Sequence, residues 1–245
     1  MDATFPLVFL VAVAYSAVGH GGASGYLLVM ALMGSSPAQM APGALVLNLL
    51  VSGVAFITYW RAGYFVPRLF WPFAIASVPA ALLGGLVEVS PRLYGWLLAA
   101  ALLFSALRLL GVGRRNEEES EFSGPPLRLA LPIGAGIGFL SGLIGIGGGI
   151  FLSPILILLR WADAKRAAAA AACFIWVNSL AAFYGHSARN SLDVGQLLPL
   201  VFAAFLGGII GSHLGARRLG GLALCRVLAA VMVMAAFKLL GRVMA

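Results

Sequence analysis

Two short glycine-rich patches hold most of the polar chemistry of this chain. The first, GHGGASG at 19–25, contains His20 and Ser24; the second, GIGGG at 145–149, has no ionisable side chain. Each interrupts an apolar run, with FPLVFLVAVAYSAV before the first and IFLSPILILL after the second. Glycine lets backbone come close to a ligand because no Cβ intervenes. Where such a patch opens a helix, unpaired N–H groups and the positive end of the helix dipole both favour an anion. Gly21, Gly22, Gly147, Gly148 and Gly149 are therefore candidate anion-binding positions, with Ser24 as a hydroxyl donor. His20 is a candidate ligand or proton carrier, with a hydrogen-bonded structural role as the plainer alternative. The same letters also permit nucleophilic chemistry, since GASG at 22–25 has the form G-x-S-G. A nucleophilic serine needs a base within hydrogen-bond reach. His20 stands four residues away across a glycine break, and the second patch carries Ile150 where the first has Ser24. An anion site tolerates that difference, whereas a protease leaves the second patch without a purpose.

The surroundings of the patches are those of a membrane protein. The 245 residues are 62% hydrophobic and 10% charged, with a mean hydropathy of +1.01. A soluble domain carries about 25% charged residues, and a 25.5 kDa globule could not bury this much apolar surface. The acidic start, MDATFP, lacks the positive n-region of a cleaved signal peptide, so the first apolar segment is expected to stay. The net charge of +8 comes from Lys and Arg placed between apolar segments. There they orient a membrane protein rather than bind nucleic acid. Cys173 and Cys225 lie within apolar segments and read as buried small side chains. No metal cluster or nucleotide loop is legible, so no cofactor is expected.

Apolar segments fall at 5–18, 22–34, 38–60, 69–87, 93–111, 129–144, 147–159, 167–185, 196–216 and 222–243. A spanning helix needs about 20 residues. Six segments qualify: 38–60, 69–87, 93–111, 167–185, 196–216 and 222–243. The remaining four form two short pairs, each joined by a glycine patch. A hydrophilic stretch, GVGRRNEEESEFSGPP at 111–126, divides the chain as a solvated linker. The chain thus reads as an N-terminal membrane repeat (1–111), a cytoplasmic linker (112–126) and a C-terminal membrane repeat (127–245). Each repeat has a glycine patch and later a helix with one asparagine, Asn48 or Asn178. The glycines repeat at an offset of 126 and the asparagines at 130. Weak internal similarity of this kind is the residue of transporter repeats. Asn48 and Asn178 are candidate ligands, or else hydrogen bonds between helices.

Two topologies compete. If each short pair is one bent spanning helix, there are eight straight spans, and Lys and Arg divide nine against seven between the two faces. If each pair is a re-entrant hairpin, they divide twelve against four, a bias that puts the twelve in the cytoplasm. Each repeat then has a hairpin and three spanning helices, and the repeats are inverted. The short arms agree with this, because 14 apolar residues at 5–18 reach roughly 21 Å, less than the ~30 Å hydrocarbon core. The expected fold is therefore all-α, polytopic, with two inverted repeats whose glycine tips meet near the midplane. Runs such as GAGIG at 134–138 and AAAAAA at 167–172 read as helix-packing surfaces. His186, His213 and Lys238 read as groups at solvated membrane edges.

With these features in view, the chain resembles the TauE/SafE family of sulfite exporters and related permeases. The features that carry the resemblance are GHGGASG with the helix to NLLVSG (48–53), and GLIGIGGGIFLSPIL (142–156) with the helix to VNSLAAF (177–183). The chain departs from the plainer glycine run in the first repeat, at His20 and Ala23. The resemblance implies secondary transport of small sulfur-containing anions such as sulfite, sulfoacetate or other organosulfonates. The expected partners are that anion, a coupling proton or sodium ion, the lipid of a bacterial cytoplasmic membrane, and a second copy in a homodimer. Two other readings remain: an anion channel, since aquaporin-type channels also pair re-entrant half-helices but carry an N-P-A signature missing here, and an intramembrane serine protease of the rhomboid kind.

Overall fold

The structure is a computed structural model. It describes residues 4–32, 37–90, 124–188 and 194–218, with scattered positions through 92–107 and 226–241. Most of the expected segments 93–111 and 222–243 and most of the linker lie outside the described residues, as do Arg189, Cys225 and Lys238. The described residues form α-helices and one 3₁₀ turn at Pro67–Leu69, with no strand among them. In chain order the helices are α1 (Thr4–Ser16), α2 (Ala23–Leu32), α3 (Pro37–Arg61), α4 (Trp71–Leu86), α5 (Leu127–Ile144), α6 (Gly149–Leu158), α7 (Ala164–Ser187) and α8 (Val194–Arg217).

Four helices are long and apolar enough to cross a membrane: α3, α5, α7 and α8. Three of these match expected spans. The fourth, α5, corrects the expectation for 129–144. Pro126, extended at φ −68°, starts the helix at Leu127, and it runs 18 residues, or about 27 Å. The first arm α1, with 13 residues, stays short as expected, and the expected span at 69–87 gives only the 16-residue α4; the half-length pieces are the second arms, α2 and α6. Each has 10 residues, or about 15 Å.

Small residues set the directions in which the helices run. On α5, Gly134, Gly138 and Gly142 lie against the backbone of Phe73, Ser77 and Ala81 on α4. Both series advance by four residues, so the two helices are parallel. On α8, Gly207, Gly211 and Gly215 meet the carbonyls of Phe9, Val13 and Ala17, so α8 runs parallel to α1 and to the residues just after it. A side chain at these glycines would strike backbone, which is how small-xxx-small surfaces bring membrane helices together. The GAGIG run is thus a packing surface, and Ala167 through Ala172 are likewise buried. The first helix of each half packs on α8 or α4 of the other half, and α3 and α7 cross between them.

Asn48 pairs with Ser179, while Tyr59 packs with Ala168 and Ala169. Residue numbers rise on α3 as they fall on α7, so those two are antiparallel. Thr58 on α3 accepts from Ser212 on α8 at 3.1 Å, and Val51 meets Gly208, so those two are parallel. Gly85 on α4 meets Ala182 and Gly185 on α7, and Phe73 pairs with Trp161 just before α7. Hence α1, α3 and α8 run one way, and α4, α5 and α7 the other.

The glycine patches reverse the chain. Tyr15 on α1 bonds Ser24 on α2 at 2.8 Å, and Val11 lies against Gly25. Residues 14 apart in one bent rod would be about 20 Å apart, so α2 doubles back on α1. In the second patch, Gly145 closes α5 in the left-handed conformation, and Gly148 returns to lie against Ile137 and Ser141.

The surface is inverted relative to a soluble protein. Trp60, Trp71, Ile75, Leu83, Leu198 and Phe202 are exposed, while Ser16, Ser52, Asn48, Asn178, Ser179 and Ser212 are buried. At the end where α3 and α8 finish and α4, α5 and α7 begin, the chain places Arg61, Arg68, Arg128, Arg160, Lys165, Arg166, Arg217 and Arg218. Lys165 ties that end together, donating to Tyr64 Oη at 3.2 Å and to the Ala216 carbonyl at 3.3 Å.

Candidate functional site

The site is built from two half-helices that begin in mid-structure. Both α2 and α6 open within a glycine patch, at Ala23 and Gly149, and both patches arrive at Asn48. Asn48 is buried, near the middle of the 25-residue α3. Its Oδ1 accepts from the Ala23 amide at 3.2 Å, capping α2 from another helix. Its Nδ2 donates to Ser179 Oγ at 2.8 Å and stands 3.4 Å from the Ile146 carbonyl. One side chain thus touches the first patch, the second patch and α7.

The glycines are needed at this junction. A Cβ on Gly21 would overlap Asn48 Oδ1, and a Cβ on Gly147 would lie 2.5 Å from Ser179 Oγ and 2.6 Å from Asn48 Nδ2. Gly22 and Gly148, the residues before each half-helix, have φ of +96° and +79°, a region that side chains with a Cβ rarely adopt. Gly149 packs on Ile175 and the Ala171 carbonyl. The start of α6 has no side-chain cap, in contrast to α2. The first amides of a helix have no partner within it.

His20 is buried between the patches. Its Nδ1 stands 2.9 Å from the Val18 carbonyl, which can only accept, so that nitrogen carries a proton. Its Nε2 faces Ser153 Oγ on α6 at 3.5 Å, at the long limit for a hydrogen bond. Ser153 has one proton and also lies 3.2 Å from the Gly149 carbonyl. His20 therefore links the first patch to the second half-helix. Ser24 bonds Tyr15 Oη, so neither nitrogen of His20 is paired with it, and the nucleophile–base couple of a serine protease is not assembled.

Asn178 departs from its expected equivalence with Asn48. It is buried, but its Nδ2 donates back to the Phe174 carbonyl of its own helix at 2.8 Å, and Oδ1 has no partner among the described residues. The junction is completed by its neighbour Ser179. Successive residues point about 100° apart around a helix, so on α7 Ser179 faces Asn48 while Asn178 turns back along its own helix. His186 also departs from expectation, being buried with Nε2 2.9 Å from the Gly142 carbonyl. Its neighbour Gly185 lies against Leu82 and Gly85 of α4, which closes this end of α7 onto α4. His213 is exposed, as expected.

Sequence reasoning missed Tyr15, Tyr26, Ser153 and Ser179. Tyr26 had a readable signal, since it follows Gly22 by four residues and a helical side chain leans toward its own N-terminus. Its ring lies over Gly22, and its hydroxyl has no partner among the described residues.

The model of the family described as Sulfite exporter TauE/SafE matches residues 4–239. Over 236 residues the chain is 39% identical to the "Probable membrane transporter protein y4hK" of Sinorhizobium fredii (strain NBRC 101917 / NGR234), covering 95% of each chain. It is 26% identical over 233 residues to the "Probable membrane transporter protein YunE" of Bacillus subtilis (strain 168), covering 82% of this chain and 84% of that one. No solved structure matches.

Proposed function

The chain belongs to the sulfite exporter TauE/SafE family and is an integral membrane transporter; from that premise we propose that it is a secondary carrier for small sulfur-containing oxyanions such as sulfite, sulfoacetate or another organosulfonate. The anion is held where the half-helices α2 and α6 begin. The observation that carries this reading is the meeting of both glycine patches at Asn48, which caps the Ala23 amide of one and reaches the Ile146 carbonyl of the other. Two dipoles directed at one place favour negative charge. Asn48 and His20 keep the two starts together, and the amides of Gly21, Gly22, Gly147, Gly148 and Gly149 face the ligand, with Ser24 and Asn178 at its margin.

The two halves are inverted in the bilayer of a bacterial cytoplasmic membrane. This rests on the opposed directions of corresponding helices, with α1 against α5, α3 against α7 and α4 against α8. The end bearing Arg61, Arg160 and Lys165 faces the cytoplasm. Small relative rotation of the halves would open the shared site first to one side and then to the other. His20, whose Nε2 faces Ser153 on α6 at 3.5 Å, is the group that carries the coupling proton in this reading.

The test is counterflow in proteoliposomes. Preloaded sulfite or sulfoacetate is expected to drive saturable uptake of labelled sulfoacetate, with no response to amines or sugars. Saturable transport of a neutral or cationic solute, with none of a sulfonate, would overturn the reading.

A further inference from the structure

Tyr26 is fully buried, yet its hydroxyl has no hydrogen-bond partner among the described residues. A buried hydroxyl without a partner costs about 1–3 kcal/mol, so a sequence that only needed a ring here would do better with phenylalanine. The ring is placed by its own helix. Tyr26 lies one turn into α2 and leans back over Gly22, where a Cβ would come within 2.9 Å of Cζ and 3.0 Å of Oη. Gly22 leaves room for that hydroxyl at the mouth of the half-helix. The neighbouring hydroxyls are already engaged, since Tyr15 and Ser24 bond each other at 2.8 Å. Residues 24 and 26 correspond, at the glycine offset, to Ile150 and Leu152 in the second half, which have no donor to give.

We propose that the Tyr26 hydroxyl is a substrate-binding donor, which completes its hydrogen bond on an oxygen of the oxyanion held at the start of α2. The proposal rests on the anion-carrier reading above and adds to it a residue of the first half whose matching position in the second half, Leu152, has no hydroxyl.

The experiment compares the parent with Tyr26→Phe in detergent, following thermal unfolding across concentrations of sodium sulfite, sulfoacetate, taurine and acetate. A ligand that binds the folded state raises its melting temperature. Without ligand, Tyr26→Phe is expected to melt no lower than the parent, because no hydrogen bond among the described residues is lost. With sulfite or sulfoacetate, the half-saturating concentration is expected to rise at least about tenfold, as for a lost hydrogen bond to a charged group. Equal affinity in both proteins would overturn the role of Tyr26 and leave the carrier reading standing. A Tyr26→Phe protein that melts much lower or fails to fold would also overturn it, by showing that the hydroxyl has a structural partner. If none of these anions stabilises the parent, the carrier reading itself fails, and the assignment of Tyr26 falls with it.

Discussion

Asn48 and Ser179 stand 131 residues apart in the chain and are joined by a 2.8 Å hydrogen bond between two buried side chains. The same asparagine caps the first amide of α2. The bond therefore joins α3 to α7 at the height where both glycine patches arrive.

Asn48→Ala is expected to cost about 1–2 kcal/mol, since it leaves the Ala23 amide and Ser179 unpaired in a dry interior. Asn178→Ala removes only a bond back to its own helix and is expected to cost less than about 1 kcal/mol. Thermal unfolding in detergent compares the two. Equal losses would mean that Asn48 does not hold the junction.

The glycine tips are expected to fail together. Gly22→Leu and Gly148→Leu each place a branched side chain at a positive φ beside the start of a half-helix, where it would occupy the space proposed for the anion. Transport by either protein should fall to background in counterflow, with folding verified by size-exclusion chromatography. A Gly148→Leu protein that folds and transports like the parent, beside an inactive Gly22→Leu, would sink the shared site.

Packing glycines should affect folding rather than transport kinetics. A Cβ on Gly138 would strike the backbone of Ser77, while nothing lies within 4 Å of one on Gly136. Gly138→Ala is expected to cost about 1–3 kcal/mol through overpacking. Gly136→Ala should be neutral or gain up to about 1 kcal/mol, as for glycine in a helix interior. Melting temperatures that shift alike for both would show that α4 and α5 are not in close contact.

Orientation can be read by labelling single cysteines at Leu159 and Ser187 in a background lacking Cys173 and Cys225. Both positions are exposed and lie at opposite ends of α7. Ala162 would be the natural choice from sequence, but it is 3% exposed and would not react. An impermeant thiol reagent added outside intact cells should label position 187 and spare 159. The reverse pattern would put the cationic end outside.

The sequence by itself determined the solvent and the breaks. A chain this apolar can only be a membrane protein, and glycine runs between apolar segments must interrupt helices whatever surrounds them. GHGGASG and GIGGG were legible as matched patches because backbone freedom is a local property, written in the residues themselves. Packing through GAGIG and the alanine run was legible for the same reason: only small side chains allow backbones that close.

Only the tertiary structure decided which polar residues meet. Asn48 and Asn178 look equivalent in the chain, yet one bridges both patches and the other bonds its own helix, because residues one apart point about 100° apart around a helix and on α7 it is Ser179 that faces α3. Ser179 and Ser153 carried no signal, since a serine in a membrane helix usually bonds its own backbone and becomes a partner only when another helix presents an acceptor or donor. The length of α5 was hidden too. Arg128 near its start marked a boundary by hydropathy, whereas a helix is defined by backbone hydrogen bonds and begins at Leu127. Local chemistry specifies where a helix can break; which side chains face one another across the break depends on how distant segments pack.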